Sequence, residues 1–476
     1  MMREILKQVK GITNNSKKVK KDYLFVAVKG TSLDGHDFID DAVKNGATVV
    51  FLQDKSLKKI FEKKYPEVKF FLFENTRKAL GEALRLFYSE PDENLKIFGV
   101  TGTNGKTTTT NLLYQYLNLY GKNTGIIGTI EYRYKDEVFS SGRTTPDPVE
   151  WYHLLKKMKD KGAEYIVSEI SSHAVDQHRF YGTVFQGGIF TNLSQDHLDY
   201  HKTMENYYNA KKTFFLYMAE KNPEAVAVIN IDNPYGKRLF GEIKNKLNVV
   251  SYGKNASDFQ IKDINISVQG TYFSFLYKGK VFSVKTPLLG EFNVYNLLAS
   301  IALLEKSGVD IEFLVENAKK LKPIKGRFET VYSGDFLVVN DYAHTPDALE
   351  NILKSLKKID HRRIITVFGA GGNRDKTKRP LMGKVAEKYS DVIILTSDNP
   401  RFENPNSIIE DIKKGIKKDV FIEVDRERAI YQALKMAKKG DIVLIAGKGH
   451  ETYQEVEGKK FPFDDTLIAK KYLNLL

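Results

Sequence analysis

Short apolar runs separated by polar, glycine-rich and charged segments dominate the chain, and their spacing predicts an α/β protein. Apolar stretches at 23–28, 47–52 and 70–73 alternate with turns and helix-length segments, which predicts a small α/β unit over residues 1–92. A buried-type run at 96–100 is followed by apolar residues at helical spacing over 111–119. Further strand-like runs at 121–128, 164–170, 187–193, 225–230 and 249–252 predict a mostly parallel sheet. Between 259 and 287 the pattern changes to period two around Gln269-Gly270 and Lys278-Gly279-Lys280, predicting an antiparallel meander, and 290–304 reads as a helix. Runs at 336–340, 363–368, 392–395, 420–424 and 442–446 predict a second, doubly wound, Rossmann-like unit. The expected domains are 1–92, 93–325 and 326–476, with Pro91-Asp92-Glu93-Asn94 as a linker and 323–329 as a hinge.

The run at 96–100 ends abruptly in Gly102, Thr103, Asn104, Gly105, Lys106, Thr107 and Thr108. Strand, glycine-rich loop, lysine, hydroxyl and helix in that order predict a phosphate cradle. Lys106 would reach the terminal phosphates, Thr107 would face Mg²⁺, and the helix would present its positive end. The strict pattern places a glycine at 100, where this chain has Val100, so the loop is a variant of the central P-loop type.

Composition narrows the partners. At 476 residues the chain exceeds what one core usually serves, and its apolar runs are far too short to span a bilayer. The first ten residues contain no apolar signal core, which predicts a cytoplasmic protein. Absence of cysteine excludes disulfides, thiolate metal sites and cysteine nucleophiles. The net charge of +14 comes from 74 basic residues interleaved with 60 acidic ones, without a nucleic-acid module. It therefore predicts phosphorylated small molecules as partners, rather than nucleic acid or membrane.

Other chemistry gathers at predicted strand ends, where open α/β sheets bind ligands. Glu169 closes one strand, and the cluster Asp196, His197, Asp199 and His201 follows the next. Glu169 and His197 could complete a Mg²⁺ site beside Lys106, although a lone histidine is more often structural. Two N-terminal loops, 13–17 with Ser16 and 29–37 with His36, read equally as ligand loops and as plain turns. Asn293 and Asn296 share a helix face fit to read a purine edge, and capping explains Asn293 equally well. Arg327 could neutralise phosphate charge. The segment 368–374 tempts a dinucleotide reading, but Arg374 stands at the third glycine position, so NAD is rejected. Segments 372–375, 397–401 and 447–451 offer arginines, an amide and a carboxylate suited to a zwitterionic amino acid, or are solvated turns.

Together, Thr101-Gly102-Thr103-Asn104-Gly105-Lys106-Thr107, the segment Thr191 to His201, Gly326-Arg327-Phe328-Glu329, Asp341-Tyr342-Ala343-His344-Thr345-Pro346 and Ala446-Gly447-Lys448-Gly449-His450-Glu451 resemble the Mur ligase family. The resemblance covers nearly the whole chain. It implies UDP-muramoyl-substrate, ATP and amino-acid domains in that order; separately, a monomer is expected. The implied reaction is ATP-dependent addition of meso-diaminopimelate to UDP-N-acetylmuramoyl-L-alanyl-D-glutamate through an acyl phosphate, in peptidoglycan synthesis. By position, it implies that Lys106, Glu169, His197 and Lys211 are catalytic and that Gly102 to Thr108, Asn296, Arg327 and Asp341 bind ATP. Ser16, His36, Thr144, Thr145, Ser171, Gln177 and Arg179 would bind the UDP-muramoyl peptide. Arg374, Asp398, Asn399, Arg401, Gly447 and Glu451 would bind the amino acid. It further implies two Mg²⁺ ions held by Thr107, Glu169, His197 and Lys211, the last as a CO₂-derived carbamate, where the residues alone also allow a solvated helix lysine. The family's usual Asp-Ser-Arg uridine loop reads Asn15-Ser16-Lys17 here, so a carboxylate and a guanidinium fork are lost. Alternatives are a lysine-adding ligase of the same family, a folylpolyglutamate synthetase-like ligase and a non-catalytic nucleotide sensor.

Overall fold

The computed structural model describes residues 2–30, 33–139, 142–255, 257–267 and 269–474. Thr31 and Ser32 of the second N-terminal loop, and the side chain of Asp199, fall outside the described residues. The chain divides into two compact units, 1–259 with 299–309, and 260–298 with 310–476.

The first unit contains two sheets. Strands β1 (Gly11–Thr13), β2 (Tyr23–Val26), β3 (Ala47–Leu52) and β4 (Lys69–Leu72) pair in parallel in that order. The apolar runs read from the sequence are these strands, and Leu24, Phe25, Val50 and Phe51 are buried. The larger sheet is built from β5 (Lys96–Thr101), β6 (Thr124–Ile127), β7 (Tyr132–Tyr134), β8 (Glu137–Phe139), β9 (Tyr165–Glu169), β10 (Gly187–Phe190), β11 (Val226–Asn230) and β12 (Asn248–Gly253). Its order is β12-β11-β10-β5-β9-β6-β7-β8. The six strands from β12 to β6 run parallel, and β7 and β8 form an antiparallel edge. Since β5 lies between β10 and β9, the carboxyl ends of three neighbouring parallel strands open onto one edge.

The expected linker at Pro91 to Asn94 is instead a short 3₁₀ turn built into the core. Asp92 is fully buried, and its carboxylate accepts from Arg85 Nε at 2.9 Å and from the Val184 N–H at 3.1 Å. A buried carboxylate requires such partners, so the segment is fixed by contacts about 90 residues away along the chain. Charge and proline content alone read it as a spacer.

In the second unit, β13 (Phe259–Ser267), β14 (Gly270–Tyr277) and β15 (Lys280–Thr286) form the antiparallel meander. A further sheet runs β16-β17-β21-β18-β19-β20, from β16 (Glu329–Ser333), β17 (Leu337–Asp341), β18 (Ile364–Phe368), β19 (Val392–Leu395), β20 (Phe421–Ile422) and β21 (Ile442–Ala446). β16 is antiparallel and the others are parallel. Strand alternation divides its core in two. Val339, Ile364, Phe368 and Leu444 pack with Leu349, Leu353, Met382 and Ile409, whereas Val338, Ile365, Val367 and Val443 pack with Ile430, Ala433 and Leu434. Helices thus cover both faces, as a buried parallel sheet requires. A hairpin of β22 (Tyr453–Val456) and β23 (Lys459–Pro462) follows β21.

Candidate active site

The phosphate loop forms between β5 and the helix Lys106–Leu119. It is pinned from the neighbouring β10: Thr103 N donates to Asn192 O at 2.9 Å, Asn104 N to Asn192 Oδ1 at 3.0 Å, and Thr191 Oγ1 to Asn104 O at 2.6 Å. Gly102 has φ +150°, and a Cβ there would lie 1.9 Å from Thr191 Oγ1, so this turn excludes side chains. Thr107 and Thr108 are buried in the first helical turn.

Lys106 Nζ donates to Gly102 O and Thr103 O, both at 2.9 Å. Lys211, on the helix Met204–Lys221, donates to the same Gly102 carbonyl at 2.8 Å and is 1% exposed. That burial removes the solvated-lysine alternative. Burial, reinforced by the Lys106 charge, holds the Lys211 amine well below its ordinary value, against the opposing pull of Asp196.

Glu169, at the end of β9, is 1% exposed. Its carboxylate accepts from Thr107 Oγ1 at 3.0 Å, from Thr129 N at 2.7 Å and from Thr129 Oγ1 at 3.1 Å. Among the described residues no cation pairs with it, and a buried carboxylate beside a hydroxyl on a phosphate loop fits a divalent cation. The expected muramoyl-peptide residues connect to this point. Thr129 Oγ1 lies 3.0 Å from Thr144 Oγ1, Thr145 Oγ1 donates to Glu169 O at 2.7 Å, and Ser171 N donates to Thr145 Oγ1 at 3.1 Å. Arg179 donates to Thr145 O at 2.7 Å and to Gln177 Oε1 at 2.9 Å.

His197 stands apart from Glu169 in this arrangement. Its ring is exposed, lies 3.4 Å from Asp196, and packs edge-on to His173 and Tyr207. Among the described residues no three His, Asp or Glu side chains are disposed around a common metal position. In His36, Nδ1 is 2.6 Å from Asp34, and Nε2 accepts from Gln53 N at 3.1 Å, so both ring nitrogens contact the loop frame. Ser16 is buried, and its carbonyl accepts from Asn45 at 2.9 Å.

In the second unit, the carboxyl ends of β17, β18, β19 and β21 carry the expected residues. The segment 323–329 is a pinned turn rather than a loose hinge, since Tyr342 N donates to Gly326 O at 2.9 Å and Gly326 N to Glu329 at 2.8 Å. The Arg327 guanidinium lies 4.7 Å over the Tyr342 ring, with Nε buried and, among the described residues, lacking a hydrogen-bond partner. Asn296 donates to Asn293 Oδ1 at 3.2 Å, and Asn293 to Leu289 O at 2.8 Å.

Asp341 accepts from Phe328 N at 2.7 Å. Burial pushes its carboxyl up to about 6, against Arg327 and the Phe328 and Ala343 N–H groups. The folded chain therefore holds a proton that the unfolded chain has released between about pH 4 and 6. Stability from this group is complete below about pH 4, falls as pH rises, and is gone above about pH 6. Asp341→Asn is expected to flatten that slope in denaturant unfolding of the second unit.

Asp398 and Asn399 follow β19 and are buried. Asn399 Oδ1 accepts from Lys448 Nζ at 2.9 Å and from Glu455 N at 2.9 Å, while Nδ2 donates to Glu451 at 2.8 Å. Gly447 has φ +117°, and a Cβ there would lie 2.5 Å from an Asp398 carboxylate oxygen. Arg401 Nε donates to Glu455 Oε2 at 3.0 Å, and Nη1 to Gly372 O at 2.7 Å. Arg374 is exposed, its stem near Gly371. An open cleft of about 840 Å³ borders Pro400, Arg401, Gln454 and Val456. Along β22, Gln454 and Val456 border this cleft, the Tyr453 ring lies 5.6 Å from Lys448 Nζ, and Glu455 donates its N–H to Asn399 while its carboxylate meets Arg401.

Residues 8–88 match the model of the Mur ligase family catalytic domain, 100–304 that of the Mur ligase middle domain, and 326–449 that of the Mur ligase glutamate ligase domain. The chain belongs to the Mur ligase family. This Mur ligase is 50% identical over 475 residues to an Aquifex aeolicus protein named UDP-N-acetylmuramoyl-L-alanyl-D-glutamate--2,6-diaminopimelate ligase, covering 98% of this chain and 94% of that one. It is 45% identical over 466 residues to a Fusobacterium nucleatum protein of the same name, covering 97% and 93%. A solved structure of a ligase of that name superposes with a TM-score of 0.74 at 33% identity, covering 98% and 95%. Among the described residues no helix is long and apolar enough to cross a membrane.

Three polar residues of this Mur ligase escaped the sequence reading: Thr129, which holds Glu169; Lys448, buried between Asn399 and Glu451; and Glu455 against Arg401. Lys448 lies within the segment Ala446 to Glu451, where nothing local signals its burial. The other two are joined to their partners only by the fold.

Proposed function

We propose that this Mur ligase joins meso-diaminopimelate to the D-glutamate of UDP-N-acetylmuramoyl-L-alanyl-D-glutamate, with conversion of ATP to ADP and phosphate, in peptidoglycan synthesis. The observation carrying this reading is end-to-end likeness at 50% identity to a ligase of that name.

A carboxylate acylates an amine only after its oxygen becomes a leaving group. The glutamate side-chain carboxylate therefore takes the terminal phosphoryl group of ATP, and the amine then displaces phosphate from the acyl carbon. Lys106 gathers negative charge on the transferring group, and the loop N–H groups hold the adjacent phosphates. Thr107 and Glu169 would hold Mg²⁺, which when bound neutralises phosphoryl charge. The Thr144, Thr145, Ser171, Gln177 and Arg179 network orients the muramoyl peptide beside Glu169. In the second unit, Arg327 with its unpartnered Nε, Asp341 and Asn296 offer contacts to the nucleotide. Arg374, Asp398, Asn399, Arg401, Gly447 and Glu451 frame the amino-acid pocket.

Phosphate release measured with the UDP-muramoyl dipeptide, ATP and each amino acid in turn tests this reading. Release with meso-diaminopimelate is expected to exceed that with L-lysine by about a hundredfold or more, because lysine leaves the buried polar pocket short of a carboxylate. Preference for L-lysine would make the chain a lysine-adding ligase instead.

Lys211 in its carbamate form would supply the anion for a second Mg²⁺. Its enclosure beside Lys106 favours the neutral amine, the form that attacks CO₂. Protein equilibrated with carbon-13-labelled bicarbonate is expected to show a carbamate resonance that Lys211→Arg abolishes.

A further inference from the structure

Tyr207 and Lys211 stand about one turn apart on the helix Met204–Lys221, so their side chains leave the same face. Both reach the phosphate loop, and they meet adjacent residues of it. Lys211 donates to Gly102 O at 2.8 Å, and the Tyr207 hydroxyl lies 3.2 Å from Thr103 Oγ1. The Lys211 ammonium also lies 4.7 Å over the Tyr207 ring, which is 1% exposed.

The direction of the hydroxyl contact follows from the other bonds of Thr103. A hydroxyl has one proton and two lone pairs. The Thr103 proton goes to Ser194 O at 3.2 Å, because a carbonyl can only accept, and one lone pair takes the Ser194 N–H at 3.0 Å. The remaining lone pair accepts from Tyr207. Since Thr103 N donates to Asn192 O at 2.9 Å, this loop residue is held by the segment after β10 on one side and by Tyr207 on the other.

The Tyr207 ring is placed independently of its oxygen. His201 stacks on it with centroids 5.1 Å apart and planes at 27°, and His201 Nε2 is itself 2.9 Å from Ser172 Oγ. Removing the oxygen alone therefore leaves the ring where it is and deprives Thr103 of one donor. Lys211 gives up its charge when its amine takes CO₂, whereas Tyr207 grips the loop in either state.

We infer that Tyr207 is a positioning residue of the ATP site, whose hydroxyl holds Thr103, and with it the phosphate loop, at the spacing that Lys106 requires. The inference rests on reading residues 102–108 as the ATP phosphate site. A displaced loop N–H holds a phosphate less well, so the loss of Tyr207's hydroxyl falls on nucleotide affinity and not on the other substrates.

The test compares the full chain with Tyr207→Phe, Thr103→Val and the double variant, by calorimetric titration with Mg-ADP and by the KM for ATP and for the UDP-muramoyl dipeptide. Tyr207→Phe is expected to weaken ADP binding and raise the KM for ATP about fivefold, the scale of one hydrogen bond, with the KM for the dipeptide unchanged. In the Thr103→Val background the same substitution should cost little more, because the acceptor is already gone. Unchanged ADP affinity in Tyr207→Phe would overturn the inference. So would equal rises in both KM values, which mark a general loosening of the fold, or a full fivefold loss persisting in the Thr103→Val background, which would take the hydroxyl away from Thr103. Absence of ADP binding by wild type would overturn the reading of the phosphate site and this inference with it. Intact ADP binding without turnover of meso-diaminopimelate would overturn the proposed function alone, since the ADP titrations still decide the role of Tyr207.

Discussion

Lys106→Ala is expected to lower ATP-dependent phosphate release about a thousandfold, the upper scale for losing one preorganised charge-stabilising group. The ammonium is held at the loop by Gly102 O and Thr103 O, each at 2.9 Å, so it waits beside the position of a terminal phosphate. Charge on the transferring phosphoryl group develops in the transition state, so the loss should fall mainly on kcat. Lys106→Arg should rescue little, because a broad planar guanidinium does not reproduce a compact point charge within this turn. The polar contacts of Thr103 and Asn104 with the segment after β10 remain in the variant, so folding should be retained. Steady-state kinetics with nucleotide binding measured separately would check this. A loss below tenfold would remove Lys106 from the chemistry.

Asp465→Ala is expected to destabilise the second unit by about 3 to 5 kcal/mol, the range for deleting one partner of a buried ion pair. Asp465 and Arg426 are both fully enclosed, joined at 2.8 and 2.7 Å. Arg426 Nη2 also donates to Ala446 O at 3.0 Å, so the guanidinium braces the end of β21 just before Gly447. Removing the carboxylate leaves a buried cation without its hydrogen-bonded anion, with only the more distant Asp398 and Glu451 charges to offset it, and loosens that strand end. Chemical denaturation would show the lost stability, and Arg426→Leu added to Asp465→Ala should recover much of it, because the stranded charge goes as well. Equal instability of single and double variants would mean that packing rather than charge is at stake.

The sequence was most informative where structure is local. β5, its glycine turn and the Lys106–Leu119 helix follow from an apolar run, glycines and helical spacing within one stretch, and Glu169 was legible because a carboxylate closes a buried strand. What it concealed depends on distant partners. Nothing near Thr129 announces that its N–H and hydroxyl hold a carboxylate forty positions away. Lys448 looks like a loop lysine until Asn399 and Glu451 close around it. His36 sits in a polar loop that reads equally as a ligand loop and as a plain turn, and nothing local announces that its imidazole meets Asp34 and Gln53. Burial of polar groups is set by tertiary packing, which period and composition do not encode.

Asp92 bears on how this chain could have been assembled in evolution. Its carboxylate sits between Arg85 on one side and Val184 on the other, sealed from solvent. A gene fragment begun at Pro91 would strand an anion in a dry interior, so the N-terminal sheet cannot be exchanged as a cassette at this seam without new neutralisation. Recombination that swaps nucleotide-sugar recognition between ligases would have to carry Arg85 with it, or replace Asp92 in the same step.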